Sequence, residues 1–154
     1  MRHATIVGIF TVMLTLVAGL VFAEHIIDDS EEPSYLFVLS VTSGSLKGDT
    51  LILNGVPNVI YFSDHMSRKV GHMSLSNFVE KWDKGVDSFK ADPPNATLSV
   101  LTKDGAKNVV VELISVVQKS DSVIFKVAVL EGTIPESFRT TSLFIDFQSN
   151  TPTL

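Results

Sequence analysis

Cysteine is absent from all 154 residues. That excludes disulfides, thiol catalysis, cysteine-type zinc sites and iron–sulfur clusters. It also excludes the lipid-bearing cysteine that a bacterial lipoprotein carries after its signal. Basic charge is sparse: 12 Lys and Arg stand against 17 Asp and Glu, a net charge of −5. Removing residues 1–23 takes away Arg2 and no acid, so the remainder is more acidic still. Without a basic face there is nothing to meet nucleic-acid phosphates or an anionic membrane surface. No repeat of about 20–50 residues recurs. Gly-x-Ser-x-Gly does not occur, and Gly44-Ser45-Leu46-Lys47-Gly48 fits neither a nucleophile elbow nor a phosphate loop. No second long apolar run follows residue 23, so no second membrane span is expected.

What is present begins with an address. Met1-Arg2-His3 is a short positive region before an apolar run over residues 4–23 that ends Val21-Phe22-Ala23. Those small residues at −3 and −1 predict signal-peptidase cleavage after Ala23. The run is also close to the ~20 residues that span a bilayer, so an uncleaved N-terminal anchor is the alternative. Both readings export residues 24–154. The location expected is periplasmic, extracellular or the outer face of the cytoplasmic membrane, with membrane contact only through that segment. Residues 24–34, with Asp28, Asp29, Glu31, Glu32 and Pro33, read as an acidic linker.

From Tyr35 the pattern has a period of two. Tyr35, Phe37, Leu39 and Val41 alternate with Leu36, Val38 and Ser40, as on a strand with one buried face. Further strands are predicted over 50–53, 59–63, 96–102, 108–117, 123–130 and 142–147, separated by Gly-, Asn-, Asp- and Pro-containing turns. The two strands over 108–117 and 123–130 are apolar at nearly every position, which predicts central strands covered on both faces. Leu75, Phe78, Val79 and Trp82 fall at i, i+3, i+4 and i+7, one face of a helix over about 75–84. Ser74 or Ser76 can cap its start, and Gly85 can end it. The fold expected is mainly β, an antiparallel sandwich or open barrel of about seven strands with one inserted α-helix. A single domain spans 35–147, and residues 148–154 read as a flexible tail.

Chemistry concentrates in the 61–95 excursion, since binding groups tend to sit on connections that leave a rigid sheet. It holds Tyr61, Asp64, His65, Arg68, His72, Trp82, Asp83, Asp87 and Asp92. Asp64, His65 and His72 offer a carboxylate and two imidazoles, a donor set suited to a divalent metal. Their spacing matches no established ligand motif, and local capping explains them equally. Tyr61, Asp64, Arg68, His72, Asp87 and Asp92 are the candidate binding residues for a polar ligand. Trp82 lies on the apolar stripe and is read as core. Asp83, Asp87 and Asp92 could pair for glycoside hydrolysis only at separations of about 5–9 Å, which sequence does not give. Asn95-Ala96-Thr97 is a formal glycosylation sequon, read here mainly as a turn into a strand. Arg139 is an isolated surface charge.

The string Ile60-Tyr61-Phe62-Ser63-Asp64, Gly71-His72-Met73, Phe78-Val79, Trp82, Gly85, Asp87-Ser88-Phe89 and Asp92-Pro93-Pro94-Asn95-Ala96 resembles a family of small exported β-rich proteins, bacterial or archaeal. The resemblance covers roughly 35–147 and is most distinctive over 60–99. In that pattern Arg-Pro follows the aspartate, where this chain has His65-Met66, which counts against His65 as a ligand. The resemblance implies export and one domain, and supplies no catalytic roles. The expectation is a non-enzymatic domain that binds an extracytoplasmic ligand or protein through 61–95, with no cofactor. The alternatives are a metal-dependent, hydrolase-like enzyme centred on Asp64 and His72, and a structural envelope protein held by an uncleaved N-terminal helix.

Overall fold

A computed structural model describes residues 34–63, 68–84 and 88–147, all within the compact unit Glu31–Leu154. The N-terminal signal or anchor, most of the acidic linker, Asp64, His65, Gly85, Asp87 and the C-terminal tail lie outside the described residues.

The chain runs through β1 (Tyr35–Val41), β2 (Ser43–Lys47), β3 (Thr50–Asn54), β4 (Val59–Ser63), β5 (Val70–Met73), α1 (Leu75–Lys81), β6 (Asn95–Thr102), β7 (Gly105–Lys119), β8 (Ser122–Glu131), β9 (Ser137–Phe138) and β10 (Thr141–Phe147). The protein is mainly β. These ten strands form one sheet in the order β5-β4-β1-β10-β6-β7-β8-β3-β2-β9, and every pairing is antiparallel. The expected count of about seven strands was therefore too low: β2, β5 and β9 are additional.

Both terminal ladders pair a glycine with an aromatic ring. Tyr61 on β4 faces Gly71 on the edge strand β5, and Phe138 on the edge strand β9 faces Gly44 on β2. In each pair a Cβ on the glycine would overlap the ring. The aromatic side chain thus covers the backbone of a residue that offers no packing of its own.

One face of the sheet carries the core. Leu39, Leu51, Leu53, Leu98, Leu113, Phe125, Leu143 and Ile145 are fully buried, and each such side chain contributes about 1.5–3 kcal/mol relative to exposure. The alternation in β7 and β8 buries Val109, Val111, Leu113, Val123, Phe125 and Val127, while Ile114, Val117 and Leu130 stay exposed. Among the described residues these central strands are covered on one side only, which corrects the two-sided expectation. β-branched residues suit a pleated surface even where nothing packs over it. The same convex face places Phe62 opposite Leu36 and Val70, and Val38 opposite Ile60 and Phe144.

The sheet curls over the helix. Phe37 on β1 and Phe125 on β8 are four inter-strand steps apart, roughly 19 Å in a flat sheet. Their rings are linked through Phe89 and Trp82 by centroid separations of 5.8, 4.9 and 5.7 Å, a shorter path even if straight. In β7 the register shifts at Val110/Val111 and again at Leu113/Ser115. Such bulges bend a strand and raise its twist.

Helix α1 spans Leu75–Lys81, shorter than the expected 75–84. Ser74 is its N-cap, and its hydroxyl accepts the Asn77 amide at 3.1 Å. Leu75, Phe78 and Trp82 point into the core, so the predicted stripe is the packed one. Trp82 is core, as its place on that stripe implied. Its Nε1–H has no acceptor among the described residues.

Candidate functional site

Where the helix meets the β1–β4–β5 wing, the concave face is left incompletely filled. The result is an open groove of about 530 Å³ lined by Tyr35, Phe37, Tyr61, His72, Met73, Lys81, Lys84, Ser88 and Phe89. A volume of this size lies within the roughly 300–1,000 Å³ usual for small-molecule sites.

Three elements build its apolar wall. Strand β1 places Tyr35 and Phe37 on the concave face two residues apart, with ring centroids 6.2 Å apart. Strand β4 brings Tyr61 opposite Phe37 in the ladder, and its ring meets Tyr35 edge-on at 6.2 Å. Gly71 lets the Tyr61 ring lie down over β5 instead of standing away from the sheet. Met73, two residues along β5, packs partly against the core.

The other wall belongs to the end of α1 and the turn after it. The Lys90 amide donates to the Trp82 carbonyl at 3.2 Å, and the Ala91 and Asp92 amides donate to the Ser88 carbonyl at 2.8 and 3.1 Å. This pinned turn seats Phe89 against Trp82, stacked at 4.9 Å with an interplanar angle of 29°. Ser88 is buried, and its hydroxyl accepts the Ala91 amide at 3.3 Å.

Two lysines stand on the rim. Lys84 is paired with Glu80 one helical turn back, and that contact holds the Glu80 carboxyl below its ordinary range. Lys81 has no carboxylate within ion-pair distance among the described residues. Of the two acids flanking it in sequence, Glu80 pairs with Lys84 and Asp83 is engaged by Lys90 at 3.6 Å. The described lining therefore carries two cations and no carboxylate.

Of the six candidate binding residues, the structure brings Tyr61 and His72 to the groove. Arg68 and Asp92 are not among its lining residues, and Asp64 and Asp87 lie outside the described residues. His72 shares the convex-face parity of Ile60, its ladder partner. Its Nδ1 lies within hydrogen-bond distance of the Asn58 side-chain amide, at 2.9 Å. Of the proposed metal ligands only His72 is described, and among the described residues no three His, Asp or Glu converge as a metal site.

Sequence reasoning found the excursion but missed Tyr35, Phe37, Met73, Lys81, Lys84, Ser88 and Phe89. Lys81 and Lys84 flank the apolar stripe of α1 at a three-residue spacing, a legible signal. The contribution of β1 depends on its pairing with β4, which no local pattern encodes. No family model matches the chain, and neither a curated protein nor a solved structure is significantly similar to it.

Proposed function

We propose that this chain is an exported binding domain whose groove between α1 and the β1–β4–β5 wing takes a small, partly apolar ligand. In architectural terms the curled sheet is best read as an open, sandwich-like barrel, with α1 plugging the concave side and the groove at its mouth. Export rests on the charge and length pattern of residues 1–23. The binding reading rests on one observation: four aromatic rings and Met73 line a space that the described side chains leave open.

The physical gain from occupancy is removal of apolar surface from water at about 25 cal/mol per Å², with about 0.5–1.5 kcal/mol more for each well-placed aromatic contact. Pre-organisation limits the entropic cost, because Tyr61 is laid down over Gly71 and Phe89 is fixed by its turn.

The test is a thermal-shift screen of small amphipathic compounds against the purified protein. A ligand at 100 times its Kd stabilises by about 2.7 kcal/mol, several degrees for a domain of this size. The stabilisation is expected to be lost in Tyr35→Ala and in Tyr61→Ala, each checked by circular dichroism for a retained β-sheet spectrum. Stabilisation that survives both changes would place binding elsewhere.

A further inference from the structure

The groove's charge is opposite to that of the chain that builds it. The protein carries a net −5, yet the described groove residues include Lys81 and Lys84 and no Asp or Glu. Of the described acids beside them, Asp83 is engaged by Lys90 and Glu80 pairs with Lys84 itself, so Lys81 is the groove cation without a carboxylate partner among the described residues. The lining also holds the buried Ser88 hydroxyl, which accepts from the Ala91 amide. Two lysines and a serine hydroxyl thus share the lining with the aromatic wall.

We infer that the ligand is an amphiphilic organic anion, with an acyl or aromatic body against Tyr35, Phe37, Tyr61 and Phe89 and a carboxylate, sulfonate or phosphate head at Lys81, Lys84 and Ser88. This inference rests on the binding reading above and adds the chemical class. Charge-assisted hydrogen bonds at the head are stronger than neutral ones, and the apolar body supplies contact area that a simple inorganic anion lacks. The volume suits one free amphiphile bound singly.

Trp82 is the single tryptophan of the chain and stacks on Phe89, so its fluorescence reports on the groove. The experiment titrates the purified protein with decanoate, decanol and decyltrimethylammonium, all below their micellar concentrations. Decanoate is expected to bind about tenfold more tightly than decanol, and decyltrimethylammonium not measurably. The K81Q/K84Q double variant, whose rim positions are exposed, should lower decanoate affinity about tenfold and leave decanol unchanged. High salt should weaken decanoate binding alone.

Equal binding of decanoate and decanol, unaffected by the double variant, would overturn the anion class while leaving the groove reading standing. Failure of all three to perturb Trp82 would overturn both. Co-sedimentation with phosphatidylglycerol vesicles that depends on Lys81 and Lys84 would overturn the free-amphiphile form and assign the site to lipid headgroups.

Discussion

Tyr61 faces Gly71 across the β4–β5 ladder, with its phenol ring laid so close over the glycine that any Cβ would overlap it. The pair joins sheet stability to the site, because the same ring forms one wall of the groove and meets Tyr35 edge-on. Gly71→Ala must lift the ring or shift the edge strand. The expected cost is about 1–3 kcal/mol, the range for overpacking. In Gly71→Ala/Tyr61→Ala the added methyl has room, so the two losses should sum to less than additive. Urea denaturation of the four species measures this, and strict additivity would deny the contact.

A second prediction concerns Thr141, which is 3% exposed with an Oγ1 that finds no hydrogen-bond partner among the described residues. Burying such a hydroxyl costs about 1–3 kcal/mol. Thr141→Val keeps the shape and removes the unsatisfied group. It should leave stability unchanged or raise it by up to about 1 kcal/mol. A loss above about 1 kcal/mol in thermal or urea unfolding would mean that the hydroxyl has a partner.

Much of the fold was legible because it is local. The i, i+3, i+4, i+7 spacing of Leu75, Phe78, Val79 and Trp82 located α1, and the alternation of Tyr35, Phe37, Leu39 and Val41 identified the buried face of β1. The hairpins β6–β7 and β7–β8 followed from their two-residue turns at Lys103-Asp104 and Ser120-Asp121. What escaped was non-local. Ser43-Gly44-Ser45 has turn chemistry and is a strand only because β3 pairs with it and Phe138 covers Gly44. Strand β5 is a four-residue edge containing a glycine, made ordered by Tyr61. Runs of Val and Ile in β7 carry strand propensity but do not reveal that one face stays open, as Ile114 beside Leu113 does. The site divided the same way, since the 61–95 excursion was visible and the rings of β1 were not.

Acid should weaken the fold partly through two exposed carboxylates. Asp49 is held below its ordinary range mainly by the hydrogen bond from Lys126 Nζ, at 3.0 Å, and Glu80 mainly by the hydrogen bond from Lys84. A carboxyl with a lowered folded pKa contributes stability above its unfolded pKa and loses it as pH falls through the folded one. The contribution is therefore intact at neutral pH and fades below about pH 4. Asp49→Asn/Glu80→Gln should flatten that acid limb and change the melting temperature little at pH 7, because exposed pairs are weak. An acid limb of unchanged steepness in the double variant would assign the loss to other groups.

The most direct test of the groove as a ligand site uses Met73, which lines it from β5. With methionine methyls labelled with carbon-13, decanoate titration should shift the Met73 signal in a saturable way, and Tyr61→Ala should abolish the saturation. If the Met73 methyl stays fixed while Trp82 fluorescence or the melting temperature still responds, the ligand binds elsewhere and the groove is not the functional site.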